Sequence, residues 1–137
     1  MERKLFVLIQ ASSQDELDQA LLNLSDDKPV LEDEVEPQWR PMFLALEFIL
    51  PAEDVHPVSG HRAMLGWPLR SEAAPARYLC ALAGAGLQVL GALEAYEDGG
   101  FGRLSPSFTE SESWGIGECS EEQVFFSPGR VLKILSP

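Results

Sequence analysis

Residues Leu5 to Gln10 constrain this chain more than any other stretch. Leu5, Val7 and Ile9 fall on one side of an extended strand, and Phe6 and Leu8 on the other, so both faces are apolar. Such a strand belongs in the middle of a sheet, covered on both faces or nearly so. The chain then turns at once into helix. Ser13 is an N-cap with Glu16 three residues on, a capping box. Leu17, Ala20, Leu21 and Leu24 follow as an apolar stripe of helical period, predicting a helix over 13–25.

The rest reads as follows. Residues 26–41 form a polar connection, since Pro29, Pro37 and Pro41 each remove a donor. Met42 to Leu50 is predicted as a strand, with Leu44, Leu46, Phe48 and Leu50 on one face and Phe43, Ala45, Glu47 and Ile49 on the other, ended by Pro51. Residues 51–61 are predicted as loop, and Arg62–Trp67 as a short strand ended by Pro68. A second helix opens at Ser71 or Ala74 and exits at Gly84 or Gly86, the latter as C-terminal cap. Leu87 to Tyr96 reads as a strand. Residues 98–120, rich in Gly and Ser, read as a long loop with a short strand around Phe108. Gln123–Phe126 and Arg130–Leu135 suggest two strands joined at Ser127, Pro128 and Gly129.

This order predicts an α+β fold: a mainly antiparallel sheet of about five or six strands with two helices on one face. The order through residue 97 fits a ferredoxin-like split β-α-β unit, with a C-terminal hairpin extending the sheet. At 137 residues, 1–137 is expected to be a single domain, and a 45% hydrophobic content suffices for a core. Cys80 and Cys119 make no disulfide framework. With no convincing leader and no apolar run of about 20 residues, a cytoplasmic protein is expected.

Charge is the strongest functional signal. The formal net charge is -12, from 22 acidic and 10 basic residues. Nine acidic residues lie between Asp15 and Glu36 against Lys28 alone, and eight between Glu94 and Glu122 against Arg103 alone. Such a surface attracts cationic proteins and repels nucleic acid and anionic membranes, so neither of the latter is an expected partner.

Catalytic motifs are missing. His56 and His61, with Glu53 and Asp54 nearby, are the residue types of a metal or acid–base site. Their spacing matches no zinc pattern, and ordinary loop histidines are expected. They remain the basis of an alternative, a small metal-dependent enzyme or ligand-binding domain. Cys80, among Tyr78, Leu79, Ala81 and Leu82, is expected to be a buried structural thiol. Gly84, Gly86 and Gly91, and Gly99, Gly100 and Gly102, lie outside the strand-to-helix context of a phosphate loop and read as caps and turns. Glu32, Asp33, Glu34 and Glu36 lack the alternation and central glycine of a calcium loop. No metal and no cofactor are expected.

Trp39, Trp67 and Trp114 fall in predicted loops or at element ends. Trp39 follows the acidic run ending at Glu36, and Trp114 follows Glu110 and Glu112. Aromatic anchors among steering charges are how interfaces are built. In size, α+β pattern, acidic clusters at Glu32–Glu36 and Glu110–Glu122, and lack of catalytic motif, the chain resembles the small acidic immunity proteins of bacterial toxin systems. The resemblance is one of class over the whole chain. It implies a non-enzymatic inhibitor of a cognate toxin with a basic surface, a nuclease among the candidates. The expected contact residues are Glu32, Asp33, Glu34, Glu36, Trp39, Glu110, Glu112 and Trp114. A further alternative is an acidic adaptor or chaperone for a secreted effector.

Overall fold

The computed structural model describes residues 2–29, 31–47, 49–69, 75–106, 114–120, 124 and 126–136, with backbone alone for 105–106 and 114–120. Chain order is β1 (Arg3–Gln10), α1 (Gln14–Asn23), two 3-10 turns (Glu32–Glu34 and Pro37–Trp39), α2 (Arg40–Leu46), β2 (Asp54–Val58) and β3 (Arg62–Leu69). Then come α3 (Pro75–Gly84), β4 (Gln88–Tyr96), β5 (Phe101–Pro106), β6 (Trp114–Ser120) and α4 (Pro128–Leu135). The strands form one sheet in the order β2-β3-β1-β4-β5-β6, and every neighbouring pair is antiparallel. The first four take the split β-α-β order that the sequence predicts, with β2 in the place expected for Met42–Leu50.

β1 is central because its side chains tolerate nothing else. Leu5 to Ile9 are all fully buried. Leu5, Val7 and Ile9 join Leu17, Ala20 and Leu24 of α1 and its end, Met42 and Leu46 of α2, and Tyr78, Leu79 and Leu82 of α3 in a first core. Phe6 and Leu8 face the other way, into a second core with Met64, Leu93, Phe101, and Val131 and Leu135 of α4. Three helices therefore cover one face, and α4 covers the other.

The capping box forms in an altered way. Ser13 Oγ accepts from the Glu16 backbone N–H at 3.1 Å. The Glu16 carboxylate, however, accepts from Ser12, from its N–H at 3.4 Å and its hydroxyl at 2.7 Å. Gly91 lets α4 approach the sheet. It pairs with Leu8 across β1, and a Cβ there would lie 3.2 Å from Leu135 Cδ2.

Four stretches differ from expectation. Met42–Leu50 is not a strand: residues 40–46 form α2, which buries Met42, Phe43 and Leu46 and turns Pro41, Leu44 and Glu47 outward. A continuous apolar run satisfies either period, and Pro41 near the helix start decides for helix. Residues 54–58 are not loop but the edge strand β2, where Pro57 costs no interior ladder bond. Within 98–120, Phe101–Pro106 and Trp114–Ser120 form β5 and β6, which extend the sheet beyond β4. The short strand expected at Phe108 lies outside the described residues. Residues 128–135 are helical, so no C-terminal hairpin forms there: Val131 and Leu135 are buried one turn apart, while Arg130 and Lys133 face out. Among the described residues no helix is long and apolar enough to cross a membrane.

Candidate interaction surface

The connection from α1 to α2 is ordered by two 3-10 turns rather than left as open loop. The Glu34 N–H donates to Leu31 O and the Val35 N–H to Glu32 O, both at 3.0 Å, and the Trp39 N–H donates to Glu36 O at 2.9 Å. Val35 is buried and half-buried Trp39 packs on the first core. These two pin the segment, so Glu32, Asp33, Glu34 and Glu36 are all driven outward and exposed. Glu36 accepts from the Gln38 amide at 2.6 Å. Among the described residues none of the four carboxylates makes an ion pair.

Acidic residues concentrate in one stretch of the chain. Asp15 to Glu47, the stretch that forms α1, the connection and α2 on the first face, carries ten acidic residues against Lys28 and Arg40. Both basic groups are half-buried: the Lys28 ammonium donates to Ile49 O at 3.2 Å, and Arg40 Nε is buried without a hydrogen-bond partner. Strand register puts Lys4, Arg62 and Arg103 on the opposite face of the sheet, beside Arg130 and Lys133 of α4. The α1-to-α2 part of the helical layer therefore carries an excess of acidic side chains, while α3 beside it carries exposed Arg77 and no acidic residue.

The predicted contact residues are only partly brought together. Glu32, Asp33, Glu34, Glu36 and Trp39 form one ridge. Glu110 and Glu112 lie outside the described residues. Trp114 opens β6, where its backbone pairs with Pro106 at the far edge of the sheet, and its side chain is likewise outside the description. Trp67 is not at an element end but inside β3, wholly buried. Its Nε1–H donates to Leu50 O at 2.8 Å, and its ring lies 5.0 Å from that of Tyr78. It is a core residue.

The residues of the metal alternative are dispersed. His56 stands on β2 opposite Met64, its Nε2 buried without a hydrogen-bond partner. His61 occupies the β2–β3 turn with φ 58° after Gly60 at 80°, and its Nδ1 lies 3.4 Å from Gln14 Oε1. Glu53 and Asp54 are engaged by Lys4. Among the described residues no three His, Cys, Asp or Glu side chains are placed to hold a metal ion. Cys80, expected to be buried, is a half-buried thiol on α3.

Two ionic contacts escaped the sequence reading because partners so distant in sequence carry no spacing signal. Lys4 Nζ sits against Asp54 Oδ2 and 2.8 Å from Glu53 Oε2, and over the Phe6 ring at 5.5 Å. Burial pulls its pKa down, but hydrogen bonds and attraction from Asp54 and Glu53 outweigh it and hold the pKa above 10.5. Glu94, almost fully buried on β4, pairs with Arg3 at 2.6 Å. Compared with protein families, curated proteins and solved structures, the chain matches none.

Proposed function

We propose that this chain is an immunity protein that binds and inhibits a cognate bacterial toxin with a basic surface, acting in the cytoplasm as a non-enzymatic inhibitor. The observation that carries the reading is the ridge Glu32, Asp33, Glu34 and Glu36: exposed carboxylates, without ion pairs among the described residues, within a stretch from Asp15 to Glu47 that holds ten acidic and two basic residues. Like charges held together repel one another, and a cationic partner relieves that repulsion while the field speeds its encounter. Trp39 lends the ridge an aromatic contact already anchored by the core, so little side-chain entropy is lost on binding. Glu110, Glu112 and Trp114 complete the proposed contact set. Where the toxin is a nuclease, its substrate groove is basic, and the ridge occupies it in place of nucleic acid.

The test is co-purification from source cells at low and moderate salt, followed by assay of the captured partner's activity with and without this protein. The expected result is one stoichiometric basic partner that is inactive when bound. A partner that stays active makes the chain an adaptor instead. Absence of any partner at both salts contradicts the reading.

A further inference from the structure

Beside the acidic ridge, a cavity of about 190 Å³ opens between the end of α1 and α2, lined by Asn23, Lys28, Pro29, Phe43, Leu46 and Glu47. Its walls are mainly apolar: Phe43 and Leu46 are buried core residues, and Pro29 and the Lys28 stem add carbon surface. An apolar cavity of about 150 Å³ takes a benzene-sized guest, so this one has room for one aromatic or aliphatic side chain. Its rim is polar. The exposed Glu47 carboxylate makes no ion pair among the described residues, exposed Asp26 and Asp27 directly precede Lys28, and the Lys28 ammonium is turned onto Ile49 O.

We infer that this cavity is the specificity pocket of the interface: it receives one apolar side chain, of phenylalanine size, flanked by lysines or arginines on the cationic partner. Charge complementarity selects that occupant. Carboxylates beside that side chain would be repelled by the exposed Glu47 in the lining and by exposed Asp26 and Asp27 in the segment before Lys28, whereas lysines or arginines are attracted by them; Lys28, the one cation of the lining, has its ammonium against Ile49 O. Affinity in such arrangements concentrates in the filled pocket, and charge sets encounter and partner choice. The inference rests on the inhibitor reading for its partner, but the cavity is testable alone.

The probe is the peptide acetyl-Lys-Lys-Phe-Lys-Lys-amide, titrated into the full chain and followed by amide chemical shifts. Controls replace Phe by Ser, or every Lys by Glu. The expected result is saturable shifts centred on Asn23, Leu46 and Glu47, with the Phe peptide binding roughly tenfold tighter than the Ser peptide. Glu47→Lys, an exposed substitution, should weaken the Phe peptide several-fold while the melting temperature stays unchanged. Equal affinity of the Phe and Ser peptides, or shifts confined to residues 32–36, overturns the inference, because charge alone would then explain binding. A captured and inhibited partner whose complex leaves the amides of Asn23, Leu46 and Glu47 unshifted also overturns it, with the inhibitor reading intact. Saturable peptide binding at the cavity supports the pocket even where no partner is captured and the inhibitor reading fails.

Discussion

Lys4→Met isolates the ionic cluster that ties the sheet edge to its centre. Methionine keeps the length and carbon contacts of Lys4 along Phe6 but removes the ammonium. The Lys4 side chain is only 12% exposed and that of Asp54 25%, so the variant leaves a mostly buried carboxylate uncompensated. Breaking a fully buried pair costs about 3–5 kcal/mol. Asp54 keeps some water, and Glu53, at 58% exposed, contributes little. We therefore expect a loss of about 2 kcal/mol, which for a chain of this size lowers the melting temperature by roughly 5–8 °C. Thermal and urea unfolding followed by circular dichroism at pH 7 measures it. Lys4→Met with Asp54→Asn should recover about 1 kcal/mol, because the stranded charge is gone. The pH dependence has a definite sign. The folded pKa of Lys4 is raised, so its contribution is complete below 10.5 and is lost as pH rises through the folded value. The wild type should thus lose stability above pH 10.5 more steeply than Lys4→Met. A single variant as stable as wild type at pH 7, or a double variant no better than the single, refutes the reasoning.

Three further substitutions test the packing. Gly66→Ala places a Cβ 2.9 Å from Asp54 Oδ2 and 3.1 Å from Phe6 Cε1, and should cost about 1–3 kcal/mol in urea unfolding. Ser13→Ala removes the cap on the Glu16 N–H and should cost about 1 kcal/mol, with the denaturant slope unchanged. Trp67→Phe leaves a void and strips Leu50 O of its donor, for about 2–3 kcal/mol.

What the sequence disclosed divides along a physical line. β1 and α1 were legible because two-sided apolarity and a capped helical stripe each admit one reading. The split β-α-β order was legible only in outline, since the strand assigned to Met42–Leu50 is supplied instead by β2. α2 was hidden because Met42–Leu50 is almost wholly apolar, and a pattern without polar breaks carries no period. α4 was hidden the other way: Val131, Lys133 and Leu135 alternate with Leu132 and Ile134, imitating a strand, and only Pro128 after Ser127 marked a helix start. β2 is short, polar and contains Pro57, which suits an edge but reads as loop. The acidic ridge was legible as composition, and its outward display was not, since it depends on Val35 and Trp39 anchoring the turns. Lys4 with Asp54, and the cavity beside Glu47, arise only when distant segments meet.

The proposed inhibitor role requires that the exposed carboxylates of residues 32–36 bind a cationic partner. The direct measurement is parallel capture from source-cell lysate at low and moderate salt. It compares wild type with a variant carrying Glu32→Gln, Asp33→Asn, Glu34→Gln and Glu36→Gln. These side chains are exposed and make no ion pair among the described residues, so the variant should fold with a melting temperature no lower than that of wild type. Wild type should capture a basic partner more weakly as salt rises, and the variant should lose most of it at both salts. Equal capture by the two proteins would contradict that requirement.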